Sequence, residues 1–253
     1  MKNYRIVFMG TAKFAVPTLE KLIKSEHSVL SVYSSPSKKA NRGMNLTHSP
    51  VSQTATKFKI DLHTPDNLKS SDELNRLKKL SPDIIVVIAY GLILPPEILT
   101  IPKFGCFNLH ASLLPKWRGA APIQRSIMSQ DKETGISVMK INEKLDEGDI
   151  SHIFKINIEE NENAQTLSDR LSTLASDKIS EVIDSIIDKE VNFKQQDHSQ
   201  ATYAKKVKKI EGLIDWNDRA ENIIGKINGL YPFPGGYFIF KGERYKILKA
   251  QLS

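Results

Sequence analysis

Ile84-Ile85-Val86-Val87-Ile88-Ala89 is apolar at every position and almost wholly β-branched. A run this short, without polar alternation, is the signature of a strand covered on both faces, and such strands belong to parallel sheets wrapped by helices. Asp83 to Ala89 is therefore read as a central strand. Just before it, Ser71 to Leu80 sets Leu74, Leu77 and Leu80 along one side of a helix. Further toward the N-terminus, Arg5-Ile6-Val7-Phe8-Met9 ends in Gly10-Thr11 and reads as a second buried strand. A helix follows around Pro17 to Ser25, with Pro17 suited to its first turn. Val29 to Tyr33 is a strand. Ser34 to Asn45, polar, basic and aperiodic, is a loop, and Ser49-Pro50 opens a helix running through Lys59. Strands alternating with helices predict an α/β fold built on a doubly wound, mostly parallel sheet.

On the C-terminal side, Gly105 to Ala111 and Ile136 to Ile141 add two strands, and the alternation in Ser151 to Ile158 suits an edge strand. Gln165 to Lys189 is a long amphipathic helix. Core packing fully explains its stripe of Leu167, Leu171, Leu174, Ile179, Val182, Ile183 and Ile186. After Lys189 the composition changes. Glu190 to Lys209 is polar, carries Lys205, Lys206, Lys208 and Lys209, and reads as a basic linker. Beyond it come a short helix (Ala220 to Ile227), the turn-forming Tyr231-Pro232-Phe233-Pro234-Gly235-Gly236, and strand-like Tyr237 to Phe240 and Arg244 to Leu248. The expected organisation is a main domain over 1–189, a linker over 190–209, and a 210–253 segment too short to bury a core of its own.

Of the 253 residues, 40% are hydrophobic and 26% charged, as in a globular chain with a substantial core. The apolar runs fall far short of the ~20 residues that cross a bilayer. No charged-then-apolar leader precedes the first strand, so a cytoplasmic location without a membrane partner is expected. The single cysteine, Cys106, can make no internal disulfide, and the six histidines form no metal-ligand spacing, so no metal is expected. A formal net charge of +7 suits a polyanionic partner such as RNA, and equally a soluble surface with surplus lysine. Gly10-Thr11-Ala12-Lys13-Phe14-Ala15 lacks the GxGxxG fingerprint and argues against a dinucleotide site.

Chemistry concentrates in Cys106-Phe107-Asn108-Leu109-His110-Ala111-Ser112-Leu113-Leu114-Pro115. Alternate residues of a strand share a face, so Cys106, Asn108 and His110 point the same way. One reading is a pair of hydrogen-bonded core residues at a strand end. A second is a thiol nucleophile with its histidine. It is weakened by geometry, since positions i and i+4 of a strand lie ~13 Å apart. The third has Asn108 and His110, ~7 Å apart along the backbone, donating to one oxygen that turns negative during acyl transfer, with the imidazole also moving a proton. The acidic turn Leu145-Asp146-Glu147-Gly148-Asp149 follows a strand and falls where open α/β sheets bind ligands. It is either the orienting acid for that histidine or a solvated turn.

Phe107 to Pro115 resembles the signature of the 10-formyltetrahydrofolate-dependent formyltransferases, and Leu145 to Asp149 resembles their second signature. The resemblance implies Asn108, His110 and Asp146 as the catalytic group. Ser112, Leu113, Leu114 and Pro115 match the stretch associated with the folate. Ala89-Tyr90-Gly91-Leu92-Ile93-Leu94-Pro95 is similar to the loop lining the pterin pocket, which implies Tyr90, Gly91 and Leu92 in binding 10-formyltetrahydrofolate as co-substrate. Trp117 to Arg125, and Phe8-Met9-Gly10-Thr11 with Phe14-Ala15-Val16-Pro17, resemble the branch of the family whose acceptor is initiator methionyl-tRNA. Lys38-Lys39-Ala40-Asn41-Arg42-Gly43 is similar to the loop that this branch inserts at the tRNA acceptor end, which implies Lys38, Lys39 and Arg42 as tRNA contacts. Lys205, Lys206, Lys208 and Lys209 stand where its basic linker does. A monomer acting in translation initiation is expected. The family often has Gly where Lys144 stands. Its C-terminal domain continues past Ser253, so residues 210–253 are expected to be the start of an OB-like β-barrel cut short.

Overall fold

A computed structural model of the chain describes residues 3–40 and 45–251. Its strands in chain order are β1 (Arg5–Gly10), β2 (Ser28–Tyr33), β3 (Lys38–Ala40), β4 (Asn45–Thr47), β5 (Leu62–His63), β6 (Ile84–Ile88), β7 (Cys106–His110), β8 (Arg118–Gly119), β9 (Glu133–Lys140), β10 (Ile150–Asn157), β11 (Tyr203–Ala204), β12 (Gly236–Phe240) and β13 (Glu243–Ile247). The helices are α1 (Val16–Ile23), α2 (Pro50–Lys57), α3 (Ser71–Leu80), α4 (Pro96–Leu99), α5 (Pro122–Met128), α6 (Ala164–Ile187) and α7 (Ala220–Gly229).

Among the described residues one seven-stranded sheet runs β10-β9-β7-β6-β1-β2-β5. The pairs β5/β2, β2/β1, β1/β6 and β6/β7 are parallel. At the other edge, Lys140 donates its amide to the Asp149 carbonyl and Ile158 to the Lys132 carbonyl, so β9 and β10 run antiparallel. Ser151 to Ile158 is thus the edge strand that its alternation indicates. The central strands are buried on both faces. Val7, Met9, Ile85, Val87 and Cys106 pack on one side with Leu77 of α3 and Ile98 of α4. Ile6, Phe8, Ile84, Val86, Ile88 and Phe107 are buried from the alternate positions.

Helix boundaries follow local chemistry. Ser70 caps α3 by accepting the Glu73 amide at 3.3 Å. Asp72 and Glu73 occupy its first turn, Lys78 and Lys79 its last, and Ser81 ends it in the left-handed region at φ 44°. Ser49 caps α2 in the same way, with Pro50 in its first turn.

Two expectations change. Within Ser34 to Asn45, read as loop throughout, β3 pairs antiparallel with β4. Backbone pairing of this kind needs no apolar pattern, so the composition gives no sign of it. The basic linker is also tied down. Lys194 pairs with Ile150, and Tyr203-Ala204 forms β11 parallel to β8.

Internal contacts divide the chain into two compact units that interleave along the sequence: Met1–His110 with Val138–His152 and Ser172–Gln195, and Ala111–Ser137 with Ile153–Leu171 and Gln196–Ser253. In the second, β12 and β13 form an antiparallel hairpin. No described helix is long and apolar enough to cross a membrane.

Candidate active site

Within the first unit, β7 runs parallel to β6 with Asn108 opposite Val87. Its pleat places Cys106, Asn108 and His110 on one side. Cys106 is 1% exposed, and its thiol reaches the Ile98 carbonyl at 3.9 Å. Burial pushes that thiol up to about 12, so almost no thiolate exists at neutral pH. The thiol-nucleophile reading falls on this point. Asn108 is half-buried, and His110, the last residue of β7, is 6% exposed.

The third member comes from the loop joining β9 to β10. The Asn142 side chain accepts the Lys144 amide at 2.9 Å, and Lys140 and Asp149 close the loop backbone to backbone. Gly148 lies so close to β9 that a Cβ there would sit 1.6 Å from the Lys140 carbonyl oxygen. Asp146 adopts φ 52°, an uncommon region for a residue with a side chain. This backbone turns its carboxylate inward. Asn108 Nδ2 donates to Asp146 Oδ1 at 3.4 Å, and Asp146 Oδ2 lies 3.7 Å from His110 Nδ1. The His110 and Asp146 side chains are only 7% and 11% exposed. Lys144 stays outside, 76% exposed and 3.9 Å from Glu147, so the residue that departs from the family pattern does not enter the site. Asp149 is exposed. Asp146 is thus the acid of this turn that meets Asn108 and His110.

At the end of β6 the chain turns through Ala89 (φ 46°) and Gly91 (φ 89°). Thr11 secures this turn. Its hydroxyl donates to the Tyr90 carbonyl at 2.8 Å and accepts the Ser35 amide at 3.2 Å, tying together the ends of β1, β2 and β6. Sequence reasoning notes Thr11 at the close of the first strand and gives it no role in the site. The Tyr90 ring is 3% exposed and lies in the core, so the turn presents backbone rather than the phenol. Gly91 is exposed, Leu92 partly buried and Ile93 86% exposed.

In the second unit, Ser112 to Pro115 forms a turn held from inside. The Ser112 hydroxyl donates to the Lys116 carbonyl at 2.6 Å. Ser137 Oγ accepts the Leu114 amide at 2.9 Å and donates to the Ser112 carbonyl at 2.7 Å. Ser112 and Leu114 are buried, while Leu113 and Pro115 are partly open. Arg118, 1% exposed, gives Nε and Nη2 to Gln196 Oε1 at 3.1 and 2.8 Å and reaches His198 Nδ1 at 3.2 Å. Beside it, Ala120 and Ala121 donate their amides to the Ala204 carbonyl. These contacts seat 196–204 before the lysines begin. Lys205, Lys206 and Lys208 line a surface hollow of about 500 Å³ with Arg125, Tyr203 and Glu211. Lys209 is exposed outside its lining. Lys38 and Lys39 lie on β3, and Arg42 falls outside the described residues.

Among the described residues no group of three His, Cys, Asp or Glu side chains has the geometry to hold a metal ion. An amide donor and an imidazole meeting one shielded carboxylate form a set suited to stabilising a developing oxyanion and moving a proton.

Comparison with known proteins identifies the family of the chain. Residues 4–183 match the model of the formyl transferase family, and residues 206–253 that of the formyl transferase C-terminal domain. The methionyl-tRNA formyltransferase of Pelagibacter ubique is 55% identical over 250 residues, which is 98% of this chain and 81% of that protein. That of Hydrogenovibrio crunogenus is 42% identical over 249 residues, 98% of this chain and 80% of that protein. The fold is that of a 4-N formyltransferase from Francisella tularensis, with a TM-score of 0.75 at 18% identity, covering 99% of this chain and 98% of that one. The chain belongs to the methionyl-tRNA formyltransferase family of formyl transferases.

Proposed function

We propose that this chain transfers the formyl group of 10-formyltetrahydrofolate to the α-amine of methionine esterified to initiator tRNA, with Asn108, His110 and Asp146 carrying the chemistry. The observation behind this reading is the meeting of those three side chains, with His110 and Asp146 shielded from solvent, at the C-terminal end of β7. The bound folate carries the formyl carbon on N10; the methionine amine attacks that carbon, the new carbon–nitrogen bond forms as the carbon–N10 bond breaks, and the amine gives up one proton to water while N10 gains one. Asn108 Nδ2 donates to the formyl oxygen as negative charge builds there. His110 donates to the same oxygen and returns a proton toward the departing N10. Asp146 orients the imidazole through Nδ1 and fixes the Asn108 amide. Catalytic hydrogen bonds are often long before the reactants bind, which accommodates the 3.7 Å separation of His110 and Asp146.

The backbone of the Tyr90-Gly91-Leu92 turn borders the folate site, and the resemblance of Ser112, Leu113, Leu114 and Pro115 to the folate-associated stretch assigns them to folate binding as well. The exposed Lys205, Lys206, Lys208 and Lys209, with Lys38, Lys39 and Arg42, attract the tRNA backbone, and salt weakens that attraction. The protein works as a monomer in the cytoplasm, with residues 1–189 as the catalytic part, 190–209 as the connecting segment and 210–253 as the C-terminal part. Formyl transfer from 10-formyltetrahydrofolate, assayed with methionyl-tRNA, uncharged tRNA and a nucleotide-linked amino sugar as acceptors, tests the assignment. Product from methionyl-tRNA alone supports it, and formylation of the amino sugar instead overturns it.

A further inference from the structure

Behind the turn at the end of β6 lies a polar cluster that the chemistry above does not use. Tyr33, at the end of β2, is fully buried, and Tyr90 is 3% exposed. The two belong to one core cluster with Leu77 of α3. From α3, the Glu73 side chain enters the same region, only 14% exposed. Tyr33 Oη, Tyr90 Oη and Glu73 Oε2 are all buried, and none has a hydrogen-bond partner among the described residues. A chain of polar contacts leads from here to the surface. Arg76 Nε lies 3.9 Å from Glu73 Oε2, and Arg76 Nη1 is 2.9 Å from His63 Nδ1. His63 Nε2 is 2.7 Å from Asp61 Oδ2, and the His63 ring lies 5.0 Å from that of Tyr33.

The three buried groups are complementary. A carboxylate only accepts hydrogen bonds, and each phenol has a proton to donate. Leaving such groups unsatisfied in a core is costly. Both phenols hold their protons well above the ordinary range, first through burial and then through the nearby Glu73 carboxylate, so they remain donors at any working pH. Tyr90 is also the middle residue of a turn with left-handed residues on either side.

We propose that Glu73 is a positioning residue for the folate co-substrate: its carboxylate accepts the Tyr33 and Tyr90 hydroxyls, directly or through one water, and fixes the Ala89-Tyr90-Gly91 turn from the core side. The proposal rests on the reading that this turn borders the folate site. Glu73 touches no reactant, so its loss weakens folate binding and leaves the chemical step alone.

Steady-state kinetics of E73Q, Y90F and the double variant test this. E73Q keeps the shape of the side chain and replaces an acceptor oxygen with a donor. Its KM for 10-formyltetrahydrofolate rises about fivefold to tenfold, the worth of one hydrogen bond. Its kcat stays within about twofold of the parent chain, as does its KM for methionyl-tRNA. The E73Q/Y90F double variant is no worse than the poorer single one, because both remove the same interaction. An unchanged folate KM in E73Q, with only a lower melting temperature, overturns the proposal, as do single effects that multiply in the double variant. Gly91→Val separates this from failure of the underlying reading. If G91V, at a position of φ 89°, raises the folate KM while E73Q does not, the turn borders the folate but Glu73 does not position it. If neither moves the folate KM, the turn does not border the folate and both readings fall.

Discussion

Asn108 Nδ2 donates to Asp146 Oδ1 at 3.4 Å, joining the end of β7 to the loop between β9 and β10 across 38 positions of sequence. The same carboxylate faces His110 with its other oxygen. One acid thus sets the orientation of both groups that would face the formyl oxygen, and whatever holds the Asp146 backbone in place also holds the site.

Gly148→Ala tests that dependence. The added methyl would sit 1.6 Å from the Lys140 carbonyl oxygen, so the loop must leave β9 and carry Asp146 with it. A misplacement of about 1 Å can cost ~100-fold in rate. The variant is expected to lose at least tenfold in kcat while its circular dichroism stays that of a folded chain. A kcat equal to that of the parent chain would show that the loop geometry is immaterial.

Cys106 shares a face with Asn108 and His110 and is predicted to be dispensable. Its thiol, pushed up to about 12 by burial, is neither a nucleophile nor easily alkylated. Cys106→Ser retains kcat/KM within about twofold, and iodoacetamide at pH 8 leaves the folded protein active. Rapid inactivation by iodoacetamide would contradict the burial of this side chain.

Glu211 accepts from Arg125 at 2.6 Å and from the Lys208 amide at 2.7 Å. The Arg125 hydrogen bond, more than any other cause, holds its carboxyl below the usual glutamate range. A carboxyl whose folded pKa is depressed contributes stability that is fully present above its unfolded value of ~4.3 and is lost as pH falls through the folded value. Glu211→Gln is therefore expected to lower the melting temperature at pH 7. The gap from the parent chain should close as the pH is brought below about 4. A gap unchanged down to pH 3, followed by thermal denaturation, would show that the ion pair is not its source.

Arg118 is the buried fastener of the 196–204 stretch. Arg118→Met fills similar volume and leaves Gln196, 4% exposed, without its charged partner. Loss of a buried, charge-assisted hydrogen bond costs about 2–4 kcal/mol. Denaturant unfolding should register that loss, and proteases should cut more readily between Gln196 and Lys206. Unaltered stability together with unaltered cleavage would remove Arg118 from this role.

Much of this architecture is legible in the sequence because it rests on short-range pattern. The unbroken apolar run at Ile84 to Ile88 appears as a central strand buried on both sides, and the leucine stripe of Ser71 to Leu80 appears as α3. The elements that composition hides are those made by tertiary pairing. β8 and β11 are two residues each and exist only because they lie against one another. The four-residue α4 and the seven-residue α5 are too short to show a period. Asn108 and His110 are marked by their polarity inside an apolar strand. Composition could not choose among the acids of Leu145 to Asp149. That choice depends on φ at Asp146 and the tight approach of Gly148, which place one carboxylate inward and leave Asp149 in solvent. The Tyr33, Tyr90 and Glu73 cluster was equally hidden, since its members come from three elements and each looks ordinary in its own.

The most direct measurement is the single-turnover rate of formyl transfer from 10-formyltetrahydrofolate to methionyl-tRNA by the parent chain and by His110→Ala, with folate affinity measured in parallel. Removal of one group that stabilises a developing oxyanion costs about 100-fold to 1,000-fold in rate. The prediction is a loss of at least 100-fold with folate affinity nearly unchanged. A His110→Ala protein that transfers formyl at close to the parent rate would contradict the assignment of the chemistry to Asn108, His110 and Asp146.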